Sequence, residues 1–291
     1  MRILVTGGNG QLGRELQDAA RAAGHHVDAT GRGDCDIADP DAVARTIASS
    51  DPEVIVNCAG WTKVDAAEDN LDAAYRSNAI GPRVLAAACA QRSLLLVQIS
   101  TDYVFAGTAD VPIDEWQQPA PQSAYGITKL AGENEVRSIA RRHQVIRTSW
   151  LYGRDGPNFV LTMLRAAAAG RPLRVVADQL GGPTWTGHLA AGVLRLIERD
   201  VPGTYHLSNA GVTSWHGFAT EIFVGAGIDA DVAPIATAEY PTPAPRPAYS
   251  VLDNRACRLL GEPPMPPWQD GLRSYLAELA EGGVLTRTAG A

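Results

Sequence analysis

Lysine is nearly absent from this 291-residue chain: Lys63 and Lys129 stand against 23 arginines. Where arginine serves almost every generic positive charge, each remaining lysine becomes a candidate for a role that needs a compact ammonium, with chance survival as the alternative for Lys63. Positive charge is also short overall. The 25 basic residues face 32 acidic ones, a formal charge of −7, which leaves no cationic surface for a polyanion and argues against nucleic-acid binding. Cysteine is scarce: Cys35, Cys58, Cys89 and Cys257 form no C-x-x-C pair, so no disulfide framework is expected and a reducing, cytoplasmic setting is. No apolar run reaches the length of a membrane span, and the amino terminus lacks the basic, long apolar and cleavage regions of a secretory signal. The remainder, 45% hydrophobic and 20% charged residues, suits one large or two modest packed domains and excludes disorder.

Ile3-Leu4-Val5 is a short apolar run that meets a glycine cluster. Gln11 to Ala23 then has helical periodicity and His26 to Ala29 reads as a second strand, a βαβ opening. Further apolar runs at Val54-Ile55-Val56, Leu94 to Ile99 and Val145-Ile146 alternate with helical stretches at Asp41 to Ala48, Ala73 to Arg92 and Tyr125 to Arg142. This alternation predicts an α/β fold, a doubly wound parallel sheet covered by helices on both faces. After about residue 150 the texture loosens, with Gly181-Gly182-Pro183 and the run Tyr240-Pro241-Thr242-Pro243-Ala244-Pro245-Arg246-Pro247, too rich in proline for a helix or a central strand. The expected division is a dinucleotide-binding domain over 1–150 and a smaller, mostly substrate-binding domain over 151–291. A return to the first sheet is expected near 184–208, where Val201 to Leu207 reads as a strand.

Thr6-Gly7-Gly8-Asn9-Gly10-Gln11-Leu12-Gly13 stands between the first strand and the first helix. Gly7, Gly10 and Gly13 let the chain turn tightly, bring backbone close to a phosphate and pack helix on strand. A tight turn without a ligand is the plainer reading; the place in the first βαβ unit favours dinucleotide binding. The second strand runs into Thr30-Gly31-Arg32 with no carboxylate at its tip, where an acidic residue would hold an adenosine ribose. Arg32 there suits a 2′-phosphate, so NADPH is preferred over NADH, with an ordinary surface arginine as the alternative. Tyr125 and Lys129 stand four apart with helical periodicity, one turn apart on one face. The segment Ser100-Thr101-Asp102-Tyr103-Val104-Phe105 follows a predicted strand and puts Ser100 and Thr101 at its carboxyl end, the edge at which open α/β sheets bind ligands.

These residues resemble the extended short-chain dehydrogenase/reductases, and within them the reductases of dTDP-bound 4-keto-6-deoxy sugars. The likeness runs through nearly the whole chain. It rests on the Gly7/Gly10/Gly13 turn, Val56-Asn57-Cys58-Ala59, Thr62-Lys63-Val64-Asp65, Ser100 to Phe105, Tyr125-Gly126-Ile127-Thr128-Lys129, Arg147-Thr148-Ser149-Trp150, Asp178-Gln179, Pro183-Thr184, and Tyr240 to Pro243 with Arg246-Pro247. The resemblance implies hydride transfer from NADPH to the C4 carbonyl of dTDP-4-dehydro-L-rhamnose, on the way to cell-wall polysaccharide, with no metal needed. By it, Tyr125 donates a proton to the sugar oxygen, Lys129 holds the nicotinamide ribose, and Thr101 hydrogen-bonds the same carbonyl oxygen. A nearby ammonium would lower the tyrosine pKa toward neutrality.

The resemblance adds Asn9, Gln11 and Leu12 to the cofactor contacts, with Asp36 and Ile37 beside the adenine and Asn57 and Ala59 beside the pyrophosphate and ribose. Asp36 reads equally as the cap of a helix beginning near Asp39, and a buried turn explains Asn57 and Ala59 without a ligand. Three residues go to the substrate: Val64 in the sugar pocket, Trp150 as a flat apolar face with one polar edge, and Arg246 as a guanidinium on a stiff loop that grips the diphosphate. Their plainer alternatives are a loop valine, a core tryptophan and a surface arginine. A homodimer is implied too. Some members pair through a cation held by carboxylates, but Glu15 reads as a solvated helix residue and no metal is expected.

Dehydratases of this type follow the same threonine with Asp-Glu, whereas this chain has Asp102-Tyr103, so elimination is disfavoured. A reductase or epimerase of another nucleotide sugar shares the motifs. A different class, a regulatory subunit resembling the β subunit of methionine adenosyltransferase, has no need of an intact Thr101, Tyr125 and Lys129.

Overall fold

In β1 (Arg2–Thr6) the three apolar residues are all buried, yet they serve two different cores: Ile3 and Val5 pack in one and Leu4 in the other. The same split recurs for Val54 and Val56 against Ile55, for Leu95 and Val97 against Leu96, and for Ile146 against Val145. A strand's side chains alternate between faces, so an unbroken apolar run is what a sheet covered on both sides requires.

The computed structural model describes residues 1–283. After β1 come α1 (Gln11–Ala22), β2 (His26–Thr30), α2 (Pro40–Ser50), β3 (Val54–Asn57), α3 (Val64–Asp69), α4 (Leu71–Tyr75), α5 (Gly81–Arg92), β4 (Leu95–Thr101), α6 (Ala124–Ile139) and β5 (His143–Thr148). The second half adds β6 (Leu151–Tyr152), α7 (Phe159–Ala168), β7 (Leu173–Val176), β8 (Leu180–Gly181), β9 (Thr184–Trp185), α8 (Thr186–Arg199) and β10 (Gly203–His206). It closes with β11 (Thr213–Ser214), α9 (Trp215–Ala226), β12 (Val232–Ile235), α10 (Arg255–Leu259) and α11 (Trp268–Glu281).

Six strands form one parallel sheet in the order β10-β5-β4-β3-β1-β2. The chain moves outward from β1 to β2 and then crosses back to β3, so the order reverses beside the carboxyl end of β1, where such sheets open a ligand crevice. A separate aromatic-rich core gathers Tyr152, Phe218, Trp268 and Tyr275 from the second half. The proline-rich run after Tyr240 is irregular but anchored, because the Ala244 amide donates to the Asp65 carboxylate at the start of α3.

Two helices differ from the sequence reading. The stretch read as one helix over Ala73–Arg92 is α4, a π-helical turn over Arg76–Ile80, and α5. Pro82 has no amide hydrogen to continue a regular ladder, and Gly132 of α6 lies so close to the Asn78 carbonyl that any side chain at 132 would collide with it. The helix read to Arg142 ends at Ile139, with Ala140 extended, because β5 already begins at His143 and Arg142 reaches across to the Ser93 carbonyl and Asp200.

Candidate active site

Gly7 turns the chain out of β1 with φ of +69°, and a Cβ there would lie 2.5 Å from the Ala59 amide nitrogen. A side chain at Gly13 would collide with the Gly7 carbonyl oxygen. Gly10 stands at the start of α1 and supplies no side-chain cap, so the first amides of that helix are left to a ligand. Glycines at 7 and 13 are thus needed for close approach of backbone to backbone, and no side chain caps the helix end.

This turn forms one end of a cavity of about 660 Å³. Among its lining residues are Gly7, Asn9, Gly10, Gln11, Leu12, Gly13, Arg32, Asp36, Ile37 and Ala59 at the cofactor end, and Val64, Thr101, Tyr125, Lys129 and Trp150 at the other. Leu12 lines it although the residue is only 4% exposed.

Asn57 does not line the cavity. It is fully buried, accepts from the Thr6 hydroxyl at 2.7 Å and the Ala59 amide at 3.1 Å, and donates to Gln98 at 2.7 Å. Its side-chain oxygen and nitrogen tie together the ends of β1, β3 and β4. Asp36 does not cap α2, since Asp39 takes that place by accepting from the amides of Asp41 and Ala42. Asp36 instead accepts from the Ala38 amide and pairs with Arg76 at 2.7 Å. Its partial burial works against ionisation, but the Arg76 guanidinium, the Ala38 amide and the field of Arg32 hold the carboxyl below the usual range.

Ser123 caps α6 by accepting from the Gly126 amide, and the helix buries Thr128, Lys129, Gly132 and Glu133. Tyr125 and Lys129 both reach the cavity from this one helix, and Thr101 enters from the end of β4. The Lys129 ammonium donates to the Ile99 carbonyl at 2.7 Å. Burial pushes its pKa down to about 8, against the opposing pull of Glu133 and Cys58.

Burial pushes the Tyr125 phenol up to about 12, partly offset by its hydrogen bond with Thr101 and reinforced by Asp102. Burial sets the direction of this shift, and the Lys129 ammonium, expected to acidify the phenol, donates to the Ile99 carbonyl. Tyr125 stays protonated through the neutral range, the form a proton donor needs. Thr101 donates its one hydroxyl proton to Asp102 at 2.9 Å and accepts from the Tyr103 amide. The hydroxyl thus joins the Asp102 carboxylate to the Tyr125 phenol. Asp102 is itself pushed up to about 6 by burial, against hydrogen bonds from Thr101 and Ser250.

Trp150 lies at the cavity wall in the left-handed region, φ of +45°, a conformation that costs an L-residue about 1–2 kcal/mol. Neither face of its indole is open. Trp215 stacks on one at 3.5 Å between centroids and 6° from parallel. On the other, a Cβ built on Gly181 would lie 2.6 Å from both Cζ2 and Nε1 and closer still to Cε2, a position above the ring plane. The flat face expected for a sugar is covered.

Arg246 lies outside the lining of this cavity. Its guanidinium pairs with Asp65 at 2.7 Å and donates to the Ala244 carbonyl, holding the proline-rich loop to α3. Glu15, read as solvated, is half-buried where α1 meets α8: it accepts from Thr186, and burial raises its pKa. Among the described residues no group of three His, Cys, Asp or Glu is arranged to hold a metal ion, and no helix is long and apolar enough to cross a membrane.

Two cavity residues carry weight that the sequence did not assign. Asp102 directly follows Thr101 in the sequence, and that adjacency is its one signal. Trp215 had none, since only the fold brings it to Trp150.

The RmlD substrate binding domain family matches residues 1–281. The chain is 43% identical over 280 residues to the dTDP-4-dehydrorhamnose reductase of Mycolicibacterium smegmatis, covering 95% of this chain and 85% of that one. A crystal structure of a dTDP-4-dehydrorhamnose reductase from Clostridium acetobutylicum is 45% identical with a TM-score of 0.93, covering 96% of this chain and all of that one. The Bacillus anthracis dTDP-4-dehydrorhamnose reductase in complex with NADP is 41% identical, also at a TM-score of 0.93, over 95% of this chain and 99% of that one.

Proposed function

We propose that this chain, which belongs to the RmlD substrate binding domain family, is an NADPH-dependent reductase of the C4 carbonyl of dTDP-4-dehydro-L-rhamnose, giving dTDP-L-rhamnose. The observation that carries this reading is the meeting of Thr101, Tyr125 and Lys129 in the cavity whose far end is the glycine turn and the uncapped start of α1. The cradle fits a dinucleotide: side chains are excluded at Gly7 and Gly13, and helix amides are offered to a pyrophosphate. Gly7, Asn9, Gly10, Gln11 and Gly13 hold that group, Arg32 meets the 2′-phosphate, and Asp36, Ile37 and Ala59 border the adenosine. NADPH, when bound, supplies the hydride that forms the new C–H bond at C4.

The chain's own part is the proton. As the carbonyl π electrons move to oxygen, Tyr125 gives its phenolic proton to that oxygen, forming the hydroxyl and leaving a phenolate. Lys129 steadies the phenolate and orients the nicotinamide ribose. Thr101, itself anchored on Asp102, fixes the direction of the phenol. Positioned proton transfer of this kind contributes about 10²–10⁴-fold to a rate.

Residues 1–150 hold the cofactor in this reading and end at Trp150 beside the sugar, and the later part, which brings Trp215 to the cavity, closes on the sugar nucleotide. The four cysteines are free, which supports a reducing, cytoplasmic location. The test is consumption of NADPH by the purified protein across a panel of nucleoside diphosphate keto sugars. Turnover should require the sugar and be fastest with the dTDP-linked 4-keto-6-deoxy compound. NADPH binding without turnover of any keto sugar contradicts the reading.

A further inference from the structure

We propose that Trp215 is a positioning residue for the sugar nucleotide, acting through Trp150; the proposal rests on the reductase reading above. β11 pairs antiparallel with β8, Thr213 opposite Gly181 and Ser214 opposite Leu180. That pairing builds a clamp. Gly181 presses on one face of the Trp150 indole, and Trp215, one residue beyond Ser214, covers the other at 3.5 Å. The jaw formed by Trp215 is itself fixed: Ser214 caps α9 by accepting from the Gly217 amide at 2.9 Å, and Trp215 packs on Phe159 at 4.7 Å, which continues onto Phe218 in the second core.

Trp150 stands two residues beyond the end of β5, in a backbone conformation that L-residues seldom adopt. Packing on both ring faces of Trp150 over-determines that conformation, and Trp150 and Trp215 both line the cavity. The sugar end of the cleft is therefore shaped by an indole that cannot turn. Cutting back Trp215 opens space on one face of Trp150 and frees it to rotate, so the ordering that binding requires must be supplied by the ligand. Among the described residues the ring contacts of Trp215 are with Trp150 and Phe159, so its part in this clamp is read out on the sugar nucleotide before the cofactor.

The test compares wild type, Trp215→Ala and Trp215→Phe by circular dichroism, steady-state kinetics and titration of dTDP-L-rhamnose into the NADP⁺-loaded protein. Two parallel indoles in contact give an exciton couplet, which both substitutions should abolish. Trp215→Ala should raise the KM for the keto sugar and the Kd for dTDP-L-rhamnose about tenfold or more, with kcat within threefold and NADPH affinity within twofold. Trp215→Phe keeps a ring on Trp150 and should restore most of the affinity despite the lost couplet. Unchanged sugar-nucleotide affinity in Trp215→Ala, or equal losses of NADPH and sugar affinity in both variants, overturns the proposal. A wild-type protein that binds NADPH but neither binds nor turns over a dTDP-sugar contradicts the reductase reading itself, a result separate from either of these.

Discussion

Arg147 and Glu133 meet as a two-pronged ion pair beneath the site, with Nε 3.0 Å from Oε1 and Nη2 2.7 Å from Oε2. Their side chains are 2% and 0% exposed. The pair binds β5 to the helix that carries Tyr125 and Lys129, and Glu133 also accepts from Ser100 and Arg137. Removing one partner strands the other's charge in the interior, a loss of about 3–5 kcal/mol. Glu133→Ala should therefore unfold at much lower urea concentration than wild type, and Glu133→Gln, which keeps the shape, should lose less. A loss under 1 kcal/mol in the alanine variant would show that the pair does not hold the helix.

Lys129 should cost the fold stability while serving the reaction. Its pKa falls from 10.5 to about 8 in the folded chain because it is buried. Between those values the unfolded chain binds more protons, so this group makes stability rise with pH across that window and is a liability below it. Lys129→Met removes the buried charge but leaves the Ile99 carbonyl without its donor. The net expectation is a gain of about 1–2 kcal/mol at neutral pH, shrinking above pH 8, with turnover abolished. Urea melts at neutral and alkaline pH check the sign, and a less stable variant at pH 7 refutes it. In the wild type, kcat/KM should fall as pH rises through about 8.

Gly13 and Gly10 should answer differently to the same added methyl. At Gly13 the methyl meets the Gly7 backbone, which cannot move aside; at Gly10 the nearest atom is 3.3 Å away. Gly13→Ala should lose about 1–3 kcal/mol, and Gly10→Ala less than about 1 kcal/mol, the scale of a weakened helix cap. Both should bind NADPH more weakly by fluorescence titration. Equal thermal stability of the two variants would contradict the close packing of α1 on β1.

Cofactor choice should depend on two arginines. Arg32→Ala should weaken NADPH about tenfold, the size of one charge-assisted hydrogen bond, and leave NADH nearly unchanged. Arg76→Ala should act through Asp36: with its partner gone, the bare carboxylate repels the 2′-phosphate, and the NADPH to NADH ratio of kcat/KM should fall. An unchanged ratio in both variants would place the 2′-phosphate elsewhere.

Strands buried on both faces write themselves as continuous apolar runs, which is why Ile3 to Val5, Val54 to Val56 and Val145-Ile146 were legible. The glycine turn and the four-residue spacing of Tyr125 and Lys129 were legible because local geometry demands them. What the sequence could not show depends on distant neighbours. Asn57 bonds to Thr6 and Gln98, Arg246 pairs with Asp65, and Gly181 and Trp215 cover both faces of Trp150. The direction of the Tyr125 shift likewise followed from burial, a property of the folded chain, and not from the presence of a lysine one turn away. The π-helical turn before α5 arises from the close approach of Gly132 to Asn78, which no periodicity announces.

Replacing Tyr125 by phenylalanine deletes the phenolic oxygen and its proton and little else. With saturating NADPH and dTDP-4-dehydro-L-rhamnose, Tyr125→Phe should show kcat lower by about 10²–10⁴-fold and an NADPH Kd within twofold of wild type. Turnover within tenfold of wild type would mean that the proton comes from another group.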